Sequence, residues 1–516
     1  MYGSILENTP AIVSFLGYFF LFVFLFFYLK NKRLNEPQAL KILKMMIGFF
    51  AVLYFVYAGT RFLEMDELEH IQSSWLVNQG EIPYYDFFQH HHPLLWYTLA
   101  PSFFFTGNGL AAVLFCRMFN LMVLAGIFIV IYRITVEITS SKETALVTLS
   151  IILSINIFTR NAVAIRPDVP MTLFLLLSFL FFVRFWNVRK NKYLVFSGLS
   201  LAVAFFFLQK AAFFILPFFM VPGYLWFSKK LSFKSLFILG ISALCPVLVF
   251  LLVYYLTGYL NEYLVFNWFY NFEKPTKSTF FHIFIRPRHF IVTANFVFVF
   301  LLTGFFMVKN FKSTPPLLKA SFFIGLFQFV VVSCLSTVYI HYYIAVIPFL
   351  LIPLAYFLLP FFENSKIGYT YRILFLFLLY GFTIPAQIKR ISEKTIFRQM
   401  AENSYFVNSV GESKILSFYP QTVFIRGSHF FFFLAEPKNY RELTLQTVIK
   451  KSKYKPWITS KMEDDALYDP KKIINEVNPV FILADSDYIQ MFDLKKTLAE
   501  KYEPAGPKHF YQRKKE

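Results

Sequence analysis

The chain alternates between long apolar runs and short polar tracts up to about residue 387, and then the alternation stops. A helix needs about 20 mainly apolar residues to cross a bilayer. The pattern predicts such helices at roughly 11–29, 42–60, 109–133, 144–159, 169–187, 193–209, 211–227, 236–257, 290–308, 319–338, 343–361 and 370–387. The apolar piece Leu94 to Gly107 is too brief to cross and carries Pro101, so it is expected to be interfacial or re-entrant. Residues 388–516 lose the long apolar runs and gain charge. There KILSFY (414–419) reads as a short strand, and PVFILAD fits a buried one. Asp469-Pro470 has the form of a helix N-cap and first helical residue, opening a helix near KKIINEV. The expected architecture is a polytopic α-helical membrane protein of about twelve spans, residues 1–387, followed by a small soluble α/β domain, residues 388–516.

Composition agrees with that pattern: 57% of the 516 residues are hydrophobic, 16% are charged and the mean hydropathy is +0.54. The net charge of +20 does not indicate a nucleic-acid partner, because the basic residues concentrate in short tracts between apolar runs. In such loops lysine and arginine orient a protein toward the cytoplasm. Lys30, Lys32, Arg33, Lys41 and Lys44, then Arg189, Lys190 and Lys192, then Lys229, Lys230 and Lys234, and lastly Lys309, Lys312 and Lys319 all fall on one side with this segmentation. The segment at 61–93 and the C-terminal domain are then expected on the extracytoplasmic side of a bacterial inner (cell) membrane. The first run, Ala11 to Leu29, has no basic stretch before it and no small-residue cleavage site after it, so it reads as a retained span. Cys116, Cys245 and Cys334 lie in apolar runs with no disulfide or zinc spacing and are expected to be buried small hydrophobes.

The segment RFLEMDELEHIQSSWLVNQGEIPYYDFFQHHHP, residues 61–93, places six carboxylates and four histidines between apolar runs. Ionisable groups so close to membrane spans are costly and point to chemistry or transport. If MDELEH is helical, Asp66, Glu69 and His70 fall at i, i+3 and i+4 on one face, and Glu67 points elsewhere. A partly desolvated carboxylate there can act as a general base; the plain alternative is a solvated surface helix. Asp86 and His90 to His92 add a second polar group, flanked by aromatics as at a headgroup interface. Carboxylate and imidazole together also allow a divalent-cation site here.

Ionisable groups from other connections are expected on the same membrane face. They are Arg166 and Asp168 in TRNAVAIRPDVP, Lys210 between two apolar runs, Arg286 and Arg288 in FIRPRH, and His341 and Tyr342 in VYIHYY. Each has an ordinary reading as well: an interface anchor for the cations, or a helix N-terminal acid for Asp168. Their convergence from separate connections favours one site.

DELEH, then QGEIPYYDFFQHHHPL, IRPD and the HYY-x4-P entry to a late span resemble the GT-C class of glycosyltransferases. The similarity is greatest to the branch of protein O-mannosyltransferases and lipid A aminoarabinose transferases. Two departures are an extra early span and a His-His-Pro-Leu segment with one proline. The resemblance implies inverting transfer of a sugar from a polyprenyl-phosphate carrier to an extracytoplasmic lipid, glycan or protein acceptor. In it Asp66 is the base, with Glu67 as the substitute. Lys210, Arg166, Arg286 and Arg288 are the cations for the leaving phosphate, and Glu69, His70, Asp86, His91, His92, Asp168, His341 and Tyr342 are substrate contacts. Competing readings are an O-antigen ligase or polymerase and a lipid-linked sugar transporter. A transporter is expected to show repeated halves, and none is evident.

Overall fold

The computed structural model describes residues 2–29, 34–107, 109–273, 287–335, 338–363, 368–381, 383–392 and 395–400. Beyond these it describes 415–417, 429–430, 451–460, 462, 470–484, 486–506 and 509–514. Among the described residues, seven helices are long and apolar enough to cross a membrane: Glu36–Thr60, Leu110–Thr139, Asp168–Val188, Phe233–Leu256, Pro316–Ser333, Ile340–Phe362 and Gly368–Ile388. Shorter apolar helices accompany them, among the described residues: Leu16–Leu29, Lys192–Phe207, Ala211–Phe227 and Thr293–Lys309, with the apolar stretch Leu94–Thr106 broken in two. The protein is a multi-pass integral membrane protein. Its surface shows why: Phe20, Phe24, Phe105, Phe227 and Val308 are each exposed by more than 60%. Large apolar side chains this exposed along the spans suit a lipid surround.

The chain forms two compact units. The first gathers residues 1–61, 119–247 and 276–395. Its most enclosed span is Ile340–Phe362, 83% buried over its apolar window, followed by Asp168–Val188 at 67%. Gly198 lets two helices of this unit touch, since a Cβ there would sit 2.6 Å from the Leu239 carbonyl oxygen and 2.9 Å from the Ala243 nitrogen.

The expected span at 144–159 is a correction. The helix Lys142–Ser154 has 13 residues and stops at Ile155, which is extended, before a short helix Asn156–Asn161. At 1.5 Å per residue this reaches only about 20 Å, short of the hydrocarbon core. Breaking a helix at membrane depth frees backbone groups that protein must satisfy. Asn295 Nδ2 and Thr383 Oγ1 both donate to the freed Ser154 carbonyl. The cysteines are a second correction: Cys116 is buried, but Cys245 and Cys334 are exposed. An apolar run facing lipid is as hydrophobic as one facing the core, so hydropathy does not distinguish the two sides of a membrane helix.

The second unit gathers residues 62–118, 248–275 and 396–516. Its five-stranded sheet is built from β1 (Ile415–Ser417), β2 (His429–Phe430), β3 (Phe481–Leu483), β4 (Tyr502–Pro504) and β5 (Phe510–Arg513), in the order β2-β1-β3-β5-β4. The β2-β1-β3 pairings are parallel, and β5 runs antiparallel to β3 and β4. Ile415 lies opposite Phe481 and Leu483 opposite Phe510, and these four form a buried cluster. Helices Pro470–Glu476, Ser486–Met491 and Lys495–Lys501 connect the later strands. Asp469 lies outside the described residues, so its capping role is not seen. The Leu94–Gly107 piece is two short helices, Leu94–Leu99 and Ser102–Thr106, parted at Pro101.

Candidate active site

In the second unit MDELEH opens the helix Met65–Asn78. Asp66 is half-buried in its first turn, whereas Glu67, Glu69 and His70 are buried. Glu67 is fully enclosed and faces Arg117, whose Nε and Nη2 each lie 3.4 Å from a carboxylate oxygen. Arg117 Nη2 also donates to the Phe62 carbonyl (3.3 Å), and Glu67 accepts from the Glu64 backbone N–H (3.2 Å). Upstream, the Gln399 amide clamps Leu63, accepting from its N–H at 2.9 Å and donating to its carbonyl at 3.3 Å. These contacts fix the approach to Asp66. Arg117 and Gln399 were not among the expected residues: both are ordinary in sequence, and only packing gives them a partner.

The expected pairing of Asp66 with Glu69 and His70 on one face is therefore divided by burial. Trp96 Nε1 donates to His70 Nδ1 at 3.2 Å. Indole has only a donor, so Nδ1 is the acceptor and His70 is neutral with its proton on Nε2. His92 Nε2 lies 2.9 Å from the Tyr263 hydroxyl, which also receives the Trp268 indole N–H at 2.9 Å. Burial pushes the Tyr263 phenol up, so it keeps its proton. The Tyr84 phenol, pushed up by burial in the same way, donates to the His91 carbonyl at 2.5 Å. Asp86 turns inward on its own loop and accepts the Ile82 N–H at 2.7 Å. Burial, with the neighbouring Asp86 charge, raises the Glu81 carboxyl above its usual range.

The segment contributing Tyr263 runs through a π-helix, Leu264–Phe269, to Glu273. Glu273 accepts from Tyr454 at 2.7 Å and pairs with Lys451 and Lys453, which hold its carboxyl down at about 2. Phe269 stacks on Tyr454, ring centres 4.6 Å apart.

In the first unit three connections meet. Arg166 Nη2 lies 2.8 Å from His341 Nε2, and Arg166 Nε lies 3.6 Å from Asp168. Guanidinium only donates, so His341 is neutral and accepts through Nε2. Lys210 donates to the Tyr342 hydroxyl and sits over its ring, 4.2 Å from the centroid. His341 and Tyr342 are consecutive on a 3-10 turn, Ile340–Ile344. Asp168 both pairs with Arg166 and starts the helix Asp168–Val188, as the helix N-terminal reading expects. Arg286 lies outside the described residues. Arg288 lies in the helix Pro287–Lys309, and its side chain is outside the description.

The sequence profile of the dolichyl-phosphate-mannose-protein mannosyltransferase family matches residues 90–257. No curated protein sequence matches the chain. Among solved structures the fold is similar to ArnT from Cupriavidus metallidurans bound to undecaprenyl phosphate. The TM-score is 0.61 and the identity 11%, covering 91% of this chain and 96% of that one. The apo form of that protein matches equally, with a TM-score of 0.61, 12% identity and coverage of 92% and 97%. An oligosaccharyltransferase from Archaeoglobus fulgidus, tethered with an acceptor peptide, matches with a TM-score of 0.52 and 12% identity over 92% of this chain and 74% of that one.

Proposed function

We propose that this chain, which resembles the GT-C class and shares the fold of ArnT, is an inverting glycosyltransferase using a polyprenyl-phosphate sugar. The observation that carries the reading is the arrival of two cations, Arg166 and Lys210, from different connections onto the consecutive pair His341–Tyr342. Such a cluster suits a phosphate whose charge grows as it leaves, and fixed cations stabilise that charge without reorganising. Asp168 and His341 hold the Arg166 fork in place. Arg286 and Arg288 are assigned to the same carrier.

In the proposed reaction the acceptor hydroxyl oxygen attacks the anomeric carbon, and the carbon–oxygen bond to phosphate breaks. The electron pair leaves with the polyprenyl phosphate, and the hydroxyl proton passes to Asp66. Of the two neighbouring carboxylates, Asp66 is the half-buried one. Glu67, enclosed with Arg117, is assigned to positioning and not to proton transfer. His70, Glu69, Asp86, His91 and His92 are assigned to shaping the acceptor side. The active face is taken as extracytoplasmic, on a bacterial cell membrane, from the distribution of lysine and arginine in short loops.

The test is transfer from a panel of radiolabelled polyprenyl-phosphate sugars by the purified chain in lipid nanodiscs. Wild type is expected to release the carrier phosphate and label an acceptor. Asp66→Asn is expected to lose about 10²–10⁴-fold in rate while still binding the donor, as for removal of a general base. An Asp66→Asn protein with full activity would remove Asp66 from this role, and no release from any donor would remove the reading itself.

A further inference from the structure

Three side chains in the second unit use the chemistry of metal ligands. One carboxylate oxygen of Glu69 and one ring nitrogen each of His90 and His91 lie within 4.8 Å of one another. Glu69 Oε1 and His90 Nδ1 are already 3.7 Å apart. Donors about 2.1 Å from a tetrahedral zinc ion stand about 3.4 Å apart, so small side-chain rotations close this set around an ion. Glu69 and His90 are each 4% exposed and His91 is half-buried. We propose that Glu69, His90 and His91 bind one divalent cation of the zinc class, leaving a coordination position for water or a substrate oxygen.

The scaffold around the trio supports this assignment. The Asn271 amide holds the His90 carbonyl at 2.8 Å, and Tyr84 holds the His91 carbonyl. The His90 N–H donates to Gln89 Oε1 at 3.0 Å, and Gln89 Nε2 donates to Ser73 Oγ at 2.7 Å. Ser73 Oγ in turn donates to the backbone carbonyl of Glu69 itself, at 2.9 Å. One hydrogen-bond chain thus ties the helix carrying the carboxylate to the strand of chain carrying the imidazoles. Phe88 stacks on the His90 ring, and the Tyr270 ring lies 5.5 Å from it. Ligands held this way by outer contacts keep their geometry before the metal arrives. Two imidazoles and one carboxylate with an open fourth position are a recurring zinc set. A buried carboxylate also gains from a cation in a medium that solvates it poorly. The ion would clip the Met65–Asn78 helix, which carries Asp66 in its first turn, to the 89–92 segment. The site stands on its own donors and does not depend on the transferase reading.

The alternative is a plain ion pair between Glu69 and protonated His90, which has no use for His91. Full-length protein in detergent, stripped by chelator, is titrated with Zn²⁺, with metal content measured after gel filtration. One equivalent per chain with a raised Tm is expected, and Glu69→Gln and His91→Ala are each expected to weaken binding by tenfold or more. Co²⁺ added to the stripped wild-type protein gives a check that needs no variant: visible absorption of a four-coordinate nitrogen–oxygen site is expected. Absence of a bound equivalent, absence of that Co²⁺ spectrum, or binding unchanged in folded His91→Ala protein would overturn the site.

Discussion

Arg117 grips Glu67 with two nitrogens at 3.4 Å, and neither side chain reaches solvent. The pair joins the first turn of the helix carrying Asp66 to the helix Leu110–Thr139. A carboxylate in a helix's first turn is favoured by the helix dipole, and the buried guanidinium stabilises the same charge. The two residues act together to set where Asp66 stands.

Removing one partner leaves the other charged and unpaired. Arg117→Leu is expected to destabilise the protein by about 3–5 kcal/mol, the usual cost of breaking a buried pair. Arg117→Leu with Glu67→Gln should recover much of the loss, since no buried charge is then left over. Thermal unfolding in detergent reads these variants and Glu67→Gln alone, and a double-variant loss equal to the sum of the two single losses would mean the pair is not coupled.

Arg166 reaches Asp168 and His341 with separate nitrogens. Lysine has one nitrogen on a flexible stem and cannot reproduce that fork. Arg166→Lys is expected to raise the donor KM by about 10–100-fold, the equivalent of one or two lost charge-assisted hydrogen bonds. Lys210→Ala should act on the same donor parameter, with acceptor KM unchanged in both. A change confined to the acceptor side would move the phosphate site elsewhere.

Two glycines separate packing from helix propensity. Gly198→Ala puts a methyl 2.6 Å from the Leu239 carbonyl, whereas a Cβ at Gly240 meets nothing within 4 Å. Overpacking of this kind costs about 1–3 kcal/mol. Gly240→Ala is expected to stabilise by up to about 1 kcal/mol through helix propensity alone. Opposite shifts in Tm are the expected result, and like shifts would refute the close approach of the two helices.

The Glu273 cluster predicts a pH window. Its folded carboxyl is held at about 2 by Lys451, Lys453 and Tyr454, below the ordinary 4.5. Its contribution is therefore complete above about pH 5 and is lost as pH falls from 4.5 toward 2, as protons take up the carboxylate. Hydrogen exchange across Lys451–Trp457 should rise in that window, and Glu273→Gln should flatten the dependence. A profile that stays unchanged in Glu273→Gln would assign the effect to another group.

The residues of the 61–93 segment were legible because they are chemically conspicuous. Six carboxylates and four histidines between apolar runs stand out without coordinates, and MDELEH does open a helix. Arg166, Asp168, Lys210, His341 and Tyr342 were legible for the same reason, as ionisable or aromatic groups at span ends. What could not be read was which groups neutralise which. Arg117 lies in an apolar run like any other and Gln399 in a charged stretch, and their partners are 50 and 336 residues away.

Hydropathy by itself determined that this chain lives in a bilayer and where its apolar runs lie, because transfer into hydrocarbon depends on composition summed over a run. It could not show that the helix near 150 stops at Ile155, nor which sides of the helices face lipid, because both depend on neighbours such as Asn295 and Thr383 that satisfy the broken backbone. Tertiary structure alone decided that Glu67 is enclosed while Asp66 is half-open, and that His341 is held neutral by Arg166. Charge state and exposure are set by the few ångströms around a group, and those ångströms are filled by residues far away in the chain.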